Sequence, residues 1–229
     1  MSVVATVRFE SNDFSELTGQ STDGGDFSVA SAAALAGTQY GGQFVVDDTN
    51  AMYGYVQLAA NKSRIVARIY IDPNGLTMGN GESISFLFLL KSDGSTPAWR
   101  SRLYYSSGQY YIQSIIYNDA GGENVSTSSA ITDDVHFVEV DLVIADNPGD
   151  NDGSATMYID DSQETSQTGH DNDDRDVRYV VLGPLWGADG GTSGTFYLDE
   201  LIVNDDGAHI GPLANVPAAM HSYRRRRVD

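Results

Sequence analysis

Glu139 and Asp141 stand two residues apart in a run of alternating apolar and polar residues, so both carboxylates share one face of a strand. Retaining glycoside hydrolysis needs two such carboxylates, a nucleophile and a proton donor, about 5 Å apart. The residues that follow on the strand, Leu142, Val143 and Ile144, are aliphatic and offer no proton donor. The pair therefore reads as a solvated or ligand-facing strand surface. A second group joins arginine to tyrosine. Trp99, Arg100, Arg102, Tyr104, Tyr110 and Tyr111 crowd two neighbouring strand patterns, and Arg68 and Tyr70 offer the same pairing elsewhere. Alternation places Arg100, Arg102 and Tyr104 together on the exposed face. Tyrosine stacks on sugar rings, and a guanidinium forks onto hydroxyls or acidic sugars. Arg68, Tyr70, Arg100, Arg102, Tyr104, Glu139 and Asp141 are thus the candidate ligand-binding residues. Trp186, in a Gly-rich loop, reads equally as a rim contact or a core plug.

Acid-rich loops suggest a hard cation, which takes several oxygen ligands. Asp150-Asn-Asp152-Gly153 resembles half of an EF-hand loop, but the register places Pro148 first and Ile159 last, so that match fails. Asp171, Asp173 and Asp174 are a second candidate group, which turn chemistry explains as readily. Arg224, Arg225, Arg226 and Arg227 supply four of the 13 cations of a chain whose formal net charge is −19. With Met220 and Tyr223 as apolar anchors, they form an expected docking arm for an acidic neighbour, including another copy of this chain.

Other chemistries are missing. There is no cysteine, hence no disulfide and no thiolate site. No Gly-x-Ser-x-Gly elbow occurs, the four histidines are not paired for zinc, and no Gly-rich loop opens a helix to cradle phosphate. The acidic body repels phosphate backbones, so nucleic acid is not an expected partner. No apolar run approaches the roughly 18 residues of a membrane span. The N-terminus lacks a basic region followed by an apolar stretch. Assembly inside a cell, or a leader already removed, is expected.

The elements that must position these residues are short strands. Alternation recurs over 3–9, 43–46, 53–58, 63–71, 82–90, 99–105, 110–117, 136–144, 155–159, 178–182 and 195–203. It turns Ile65, Ala67, Ile69 and Ile71 one way, likewise Ile84, Phe86, Phe88 and Leu90, and likewise Val138, Val140, Leu142 and Ile144. Turn residues separate the runs, in keeping with 24 glycines. Residues 29–36 read as a loop with at most a turn of helix. Strands without intervening helices cannot make parallel crossovers, so the expected fold is all-β, two packed antiparallel sheets or a barrel. After residue 206 the alternation stops. A sandwich over 1–206 and an irregular C-terminal extension over 207–229 are expected.

Phe9-Glu-Ser-Asn-Asp-Phe-Ser-Glu-Leu17 resembles the opening strand and turn of concanavalin A-like, LamG-like jelly-roll domains of the bacterial and phage type. His136-Phe-Val-Glu-Val-Asp-Leu142, Asp150-Asn-Asp-Gly-Ser-Ala-Thr-Met-Tyr-Ile-Asp160, Val181-Leu-Gly183 and Gly191-Thr-Ser-Gly-Thr-Phe-Tyr-Leu-Asp-Glu200 follow in the order those domains show. The resemblance spans roughly 7–204. It implies a jelly-roll β-sandwich whose copies are mostly non-catalytic recognition or adhesion modules. Its catalytic relatives, laminarinase-like glycosidases, carry a signature similar to Glu-x-Asp-x-x-Glu, which Glu139 and Asp141 begin and Ile144 leaves incomplete. It also implies a structural calcium between the first and last strands, where Glu10, Asp13 and Asp199 occupy comparable places and Glu10 should approach Asp199.

The expectation is therefore a protein without enzymatic activity or required cofactor. It would be a phage or virus structural component, such as capsid decoration, tail or fibre, with glycan adhesion. Its partners would be copies of itself, other virion or surface proteins, and glycans. Its place would be the virion surface after assembly in the host cytoplasm, or the extracellular space. A secreted carbohydrate-binding module is the first alternative, and a divergent glycosidase or lyase the second.

Overall fold

The computed structural model describes residues 2–213. The expected docking arm (Met220, Tyr223 and Arg224 to Arg227) lies outside the described residues. The strands are β1 (Val3–Val7), β2 (Gly19–Ser21), β3 (Phe27–Ala30), β4 (Gly41–Val46), β5 (Tyr53–Lys62), β6 (Arg64–Asp72), β7 (Ser83–Leu90), β8 (Pro97–Ser106), β9 (Gln109–Tyr117), β10 (Glu123–Ile131), β11 (His136–Val143), β12 (Gly153–Ile159), β13 (Ser162–His170), β14 (Val177–Leu182) and β15 (Gly194–Asn204). Short 3-10 turns at Asp23–Gly25 and Ser31–Ala33 are the helical pieces among the described residues, so none is long and apolar enough to cross a membrane.

Two antiparallel sheets face each other. The first runs β13-β12-β11-β6-β15-β4-β3, with β1 beside β15, and the second runs β10-β9-β8-β7-β14-β5-β2. Where neighbours are out of chain order, as at β11-β6-β15-β4 and β7-β14-β5-β2, the chain has crossed from one sheet to the other. This is a concanavalin A-like jelly-roll β-sandwich, as the resemblance implies, and of the two arrangements the alternation allowed it is the packed sheets. The inner faces hold one core, in which Ile65, Ala67, Ile69 and Ile71 of β6 meet Val138, Val140 and Leu142 of β11. Phe27, Phe44 and Phe196 stack along it at centroid distances of 4.3 and 5.0 Å. Trp99 is fully buried there, its indole N–H donating to Ser114 Oγ at 2.8 Å. A buried indole needs such a partner, and it fixes which side of β8 faces inward.

Strand β7 departs from simple alternation. Ile84 and Phe86 point into the core as expected, but the pairing of β7 with β8 shifts between Ser85 and Leu87. The bulge inserts one residue and reverses the sides that follow. Leu87 and Leu89 join the core, while Phe88 and Leu90 turn outward. This corrects the expectation that all four even residues share a side. It also gives the outer face of the second sheet an apolar floor.

Candidate functional site

The register lays side chains in lateral rows across the outer face of the second sheet. Tyr55, Val181, Phe88, Arg100, Ile115 and Val125 are successive Cα partners from β5 to β10. In the next row Ser85, Arg102, Gln113 and Thr127 pair, and beyond them Ser83, Tyr104 and Tyr111. Apolar residues gather at one end, where Phe88, Leu90 and Val181 are buried beneath Tyr53, Tyr55, Tyr179 and Leu185. Polar residues gather at the other.

Arg100 anchors the polar half. Its Nε donates to Tyr117 Oη at 2.8 Å, its Nη1 to Ser85 Oγ at 2.8 Å and its Nη2 to Glu123 Oε1 at 3.1 Å. The Tyr117 hydroxyl donates to the same Glu123 oxygen at 2.7 Å. Burial, then the bond to Glu123, raises the Tyr117 phenol above its ordinary value. Burial pushes Glu123 up too, but the Tyr117 bond and the Arg100 guanidinium outweigh it and hold its carboxyl below the usual range. Arg100 is therefore committed to positioning. Arg102 is not. Its Nε donates to Gln113 Oε1 at 2.6 Å, and Gln113 passes an amide N–H to Thr127 Oγ1 at 3.1 Å. Among the described residues its two terminal amino groups meet no acceptor. Burial, with Arg100 alongside, lowers the Arg102 guanidinium from its ordinary value. An incoming anion relieves both costs. Tyr104 and Tyr111 are cross-strand partners in the next row, with rings 6.5 Å apart, and the Tyr104 hydroxyl makes no hydrogen bond among the described residues.

The structure parts the seven candidate ligand residues. Arg100, Arg102 and Tyr104 lie together on the second sheet. Arg68, Tyr70, Glu139 and Asp141 lie on the outer face of the first, where Glu139 pairs with Arg68 and Phe137 with Tyr70. That face is roofed by the chain itself. Arg68 Nη1 donates to the Gly211 carbonyl at 2.9 Å, and Tyr70 Oη accepts from Leu213 N at 3.1 Å. Glu139 accepts from Ile210 N at 3.0 Å and Gly211 N at 2.8 Å. Arg68, Tyr70 and Glu139 are almost wholly buried, and Asp141 forks onto Arg64 at 3.0 and 2.7 Å. Alternation identified their shared face correctly, but cannot show that residues 205–213 fold back over it. In this arrangement Arg68, Tyr70 and Glu139 hold the C-terminal segment, and Asp141 holds Arg64 at the surface.

Among the described residues Glu10, Asp13 and Asp199 do not form a group with oxygens within 4.8 Å of one another, although Glu10 and Asp199 hold neighbouring residues of one loop, as expected of their approach. Glu10 Oε1 accepts from Gln39 N and Tyr40 N at 2.9 and 3.1 Å. Asp199 Oδ2 accepts from Leu35 N and Thr38 Oγ1 at 3.0 and 2.5 Å, so the two acids brace one loop from either side. Asp13 accepts from Ser15 N at 2.9 Å. Backbone and hydroxyl donors engage Glu10 Oε1, Asp13 Oδ1 and both oxygens of Asp199. Among the described residues three carboxylates offer oxygens within 4.8 Å of one another at Asp119, Asp171 and Asp173. Burial first, then hydrogen bonding with Asp174 and Asp173, pushes Asp119 up to about 7. Hard cations take oxygens grouped this way, and the fold gathers them here rather than at Glu10. Asp119 came from a turn 50-odd residues earlier, which spacing along the chain hides. Gln113, Tyr117 and Glu123 also escaped the sequence reading. Extending the alternation of β8 to β9 brings out the first two.

No family model matches the chain, and no curated protein does. The bacterial and phage type of jelly roll is thus left without a match. Solved structures do match in fold. An endo-β-1,4-glucuronan lyase from the fungus Trichoderma reesei is 13% identical with a TM-score of 0.64, over 92% of this chain and 99% of that one. The alginate lyase Aly36B is 10% identical with a TM-score of 0.61, over 90% and 98%. The receptor-binding domain of a botulinum neurotoxin C/D mosaic serotype is 12% identical with a TM-score of 0.60, over 91% of this chain and 49% of that one. These findings overturn two expectations, a non-catalytic virion component and the absence of enzymatic activity. The two lyases are matched over nearly their whole length, and at this identity what they share with the chain is the fold.

Proposed function

We propose that this chain cleaves a carboxylated polysaccharide by β-elimination on the outer face of the second sheet. The observation that carries the reading is Arg102, a part-buried guanidinium with both amino groups unengaged among the described residues, set between Gln113 and two tyrosines. Fold similarity to a glucuronan lyase and an alginate lyase supports it, as does an alginate trisaccharide complex of an Aly36B mutant.

The chemistry follows from the side chains. A uronate carboxylate docks on Arg102 and Gln113, and the guanidinium stabilises the negative charge that develops as the neighbouring C5–H bond breaks. Tyr104, as the phenolate, takes that proton as general base and becomes the neutral phenol. The C4–O bond to the leaving sugar then breaks, a C4=C5 double bond forms, and the departing oxygen takes a proton from Tyr111 or water. Atoms and electrons balance without water addition, metal or redox partner. Arg100 touches no substrate in this scheme. It is a positioning residue that fixes β8 against β7, β9 and β10.

The test is ultraviolet absorbance of the unsaturated uronate during incubation with polyglucuronate, alginate and a neutral glucan. Absorbance should rise with one of the uronates and stay flat with the glucan. Arg102→Ala should slow the rise about 10²–10³-fold. No unsaturated product from any uronate polymer, with the protein folded, overturns the proposal.

A further inference from the structure

Trp186 leaves half of its surface in water, and it is the one aromatic among the large hydrophobic residues exposed in the described chain, beside Val3 and Val125. A buried core plug is thereby excluded. The indole is fixed. The Arg100 guanidinium covers one face at 4.8 Å from the ring centroid, and Phe88 meets it edge-on at 5.0 Å. Arg100 is itself tied to Ser85, Tyr117 and Glu123, so the support beneath the ring does not give way.

The loop is equally constrained. Gly187 N donates to the Pro184 carbonyl at 2.9 Å, and Met52 N reaches the same oxygen at 3.3 Å. Gly183 has φ of 94°, and a Cβ there would stand 2.4 Å from the Phe44 ring. Gly187 has φ of 78°, and a Cβ there would stand 2.0 Å from the Thr49 carbonyl oxygen. Only glycine fits either position. These contacts seat the turn against β4 and the segment at Thr49, and half of the indole surface stays in water beside Arg100.

We propose that Trp186 is a stacking platform for a second pyranose ring of the same polymer, next to the ring whose carboxylate docks on Arg102. This rests on the polysaccharide reading of that face. Arg100, under the indole, and Arg102 are two residues apart on β8, about 7 Å along the strand, a displacement of the order of one sugar unit. A flat π surface needs a ring face that presents only hydrogens. The platform thus selects pyranosides with equatorial substituents, such as β-linked glucuronate, over rings with axial ones, such as guluronate.

The chain has two tryptophans, and Trp99 is sealed in the core, so indole fluorescence reports on Trp186. In a Tyr104→Phe background, to slow cleavage, a glucuronate oligomer should shift that emission on titration. In the same background Trp186→Ala should weaken binding by calorimetry about tenfold, the scale of one aromatic contact, and Trp186→Phe should restore part of it. Preference for glucuronate over guluronate oligomers should shrink in Trp186→Ala. Unchanged affinity and preference in Trp186→Ala, with the oligomer still bound, overturns the platform and leaves the cleavage proposal standing. No binding of any uronate oligomer to folded protein overturns both.

Discussion

Glu139→Gln separates the two faces of the sandwich. Glu139 has the look of a catalytic acid in sequence, yet its carboxylate is completely buried under the C-terminal segment. Oε1 accepts from Ile210 N at 3.0 Å and faces His209 Nδ1 at 2.7 Å, while Oε2 accepts from Gly211 N at 2.8 Å. An amide keeps one acceptor oxygen and turns an N–H₂ toward a donor that then has no partner. An orphaned buried donor costs about 1–3 kcal/mol, and losing the charge at the remaining contacts adds about 1 more. The segment can relax outward and rehydrate, which caps the loss. The expected destabilisation is therefore about 2–4 kcal/mol. In a chain of this size that lowers Tm by roughly 5–15 °C. Urea unfolding and calorimetry give the stability, and hydrogen exchange over 208–213 should show the segment loosened. Cleavage per folded molecule should stay within about twofold of wild type, because none of these contacts reaches the second sheet. Unchanged stability with turnover lost would refute the reasoning and return Glu139 to the active site.

Further predictions concern charge and pH. Arg102→Ala should lower kcat/KM about 10²–10³-fold, the usual scale for removing one preorganised charge donor, with little change in Tm. His209 faces carboxylates from both ring nitrogens, Glu139 at 2.7 Å and Asp161 at 2.7 Å. Burial lowers its pKa, but the hydrogen bond to Asp161 and the field of Glu139 outweigh it and raise it overall. A raised histidine stabilises fully below its unfolded value near 6.5, and that contribution is lost as pH rises through the folded value. Protection factors at 208–213, corrected for intrinsic exchange, should therefore fall across that window, and the fall should be absent in His209→Ala. Burial pushes Asp199 up to about 7 despite the bonds from Thr38 and Leu35. The native state then holds a proton that the unfolded chain releases near 4, so this group makes stability fall between about pH 4 and 7, and the slope measured by urea unfolding should flatten in Asp199→Asn. Finally, a chain of net charge −19 repels a polyanion at long range. Salt shortens that reach to about 10 Å at 0.1 M, so association measured by stopped flow should speed up with ionic strength before contact screening slows it.

What could be read from the residues is the inward half of the molecule. Alternation in β6 and β11 assigns their core faces correctly because apolar side chains with period 2 have one way to be buried. Strands β10 and β13, in contrast, carry Ser, Thr, Glu and Gln at most positions. They sit at sheet edges, where half of each strand faces water and the apolar signal fades. The bulge in β7 was hidden because Ile84 to Leu90 is apolar on both sides except for Ser85, so nothing in it marks where the register slips. The two arginine–tyrosine pairings looked equivalent in sequence. What distinguishes Arg102 from Arg68 is whether a distant segment covers the face, and nothing near either residue encodes that. Trp186 was ambiguous for the same reason. Its exposure depends on Gly183 and Gly187 packing against Phe44 and Thr49, from another part of the chain.

The most direct test of the central claim is a crystal structure of Tyr104→Phe with a uronate tetrasaccharide. The account predicts the sugar along the outer face of the second sheet, one carboxylate within hydrogen-bond distance of Arg102 and Gln113 and its C5 beside residue 104. A tetrasaccharide bound instead against the first sheet, or at the Asp119 loop with Arg102 facing only water, would contradict it.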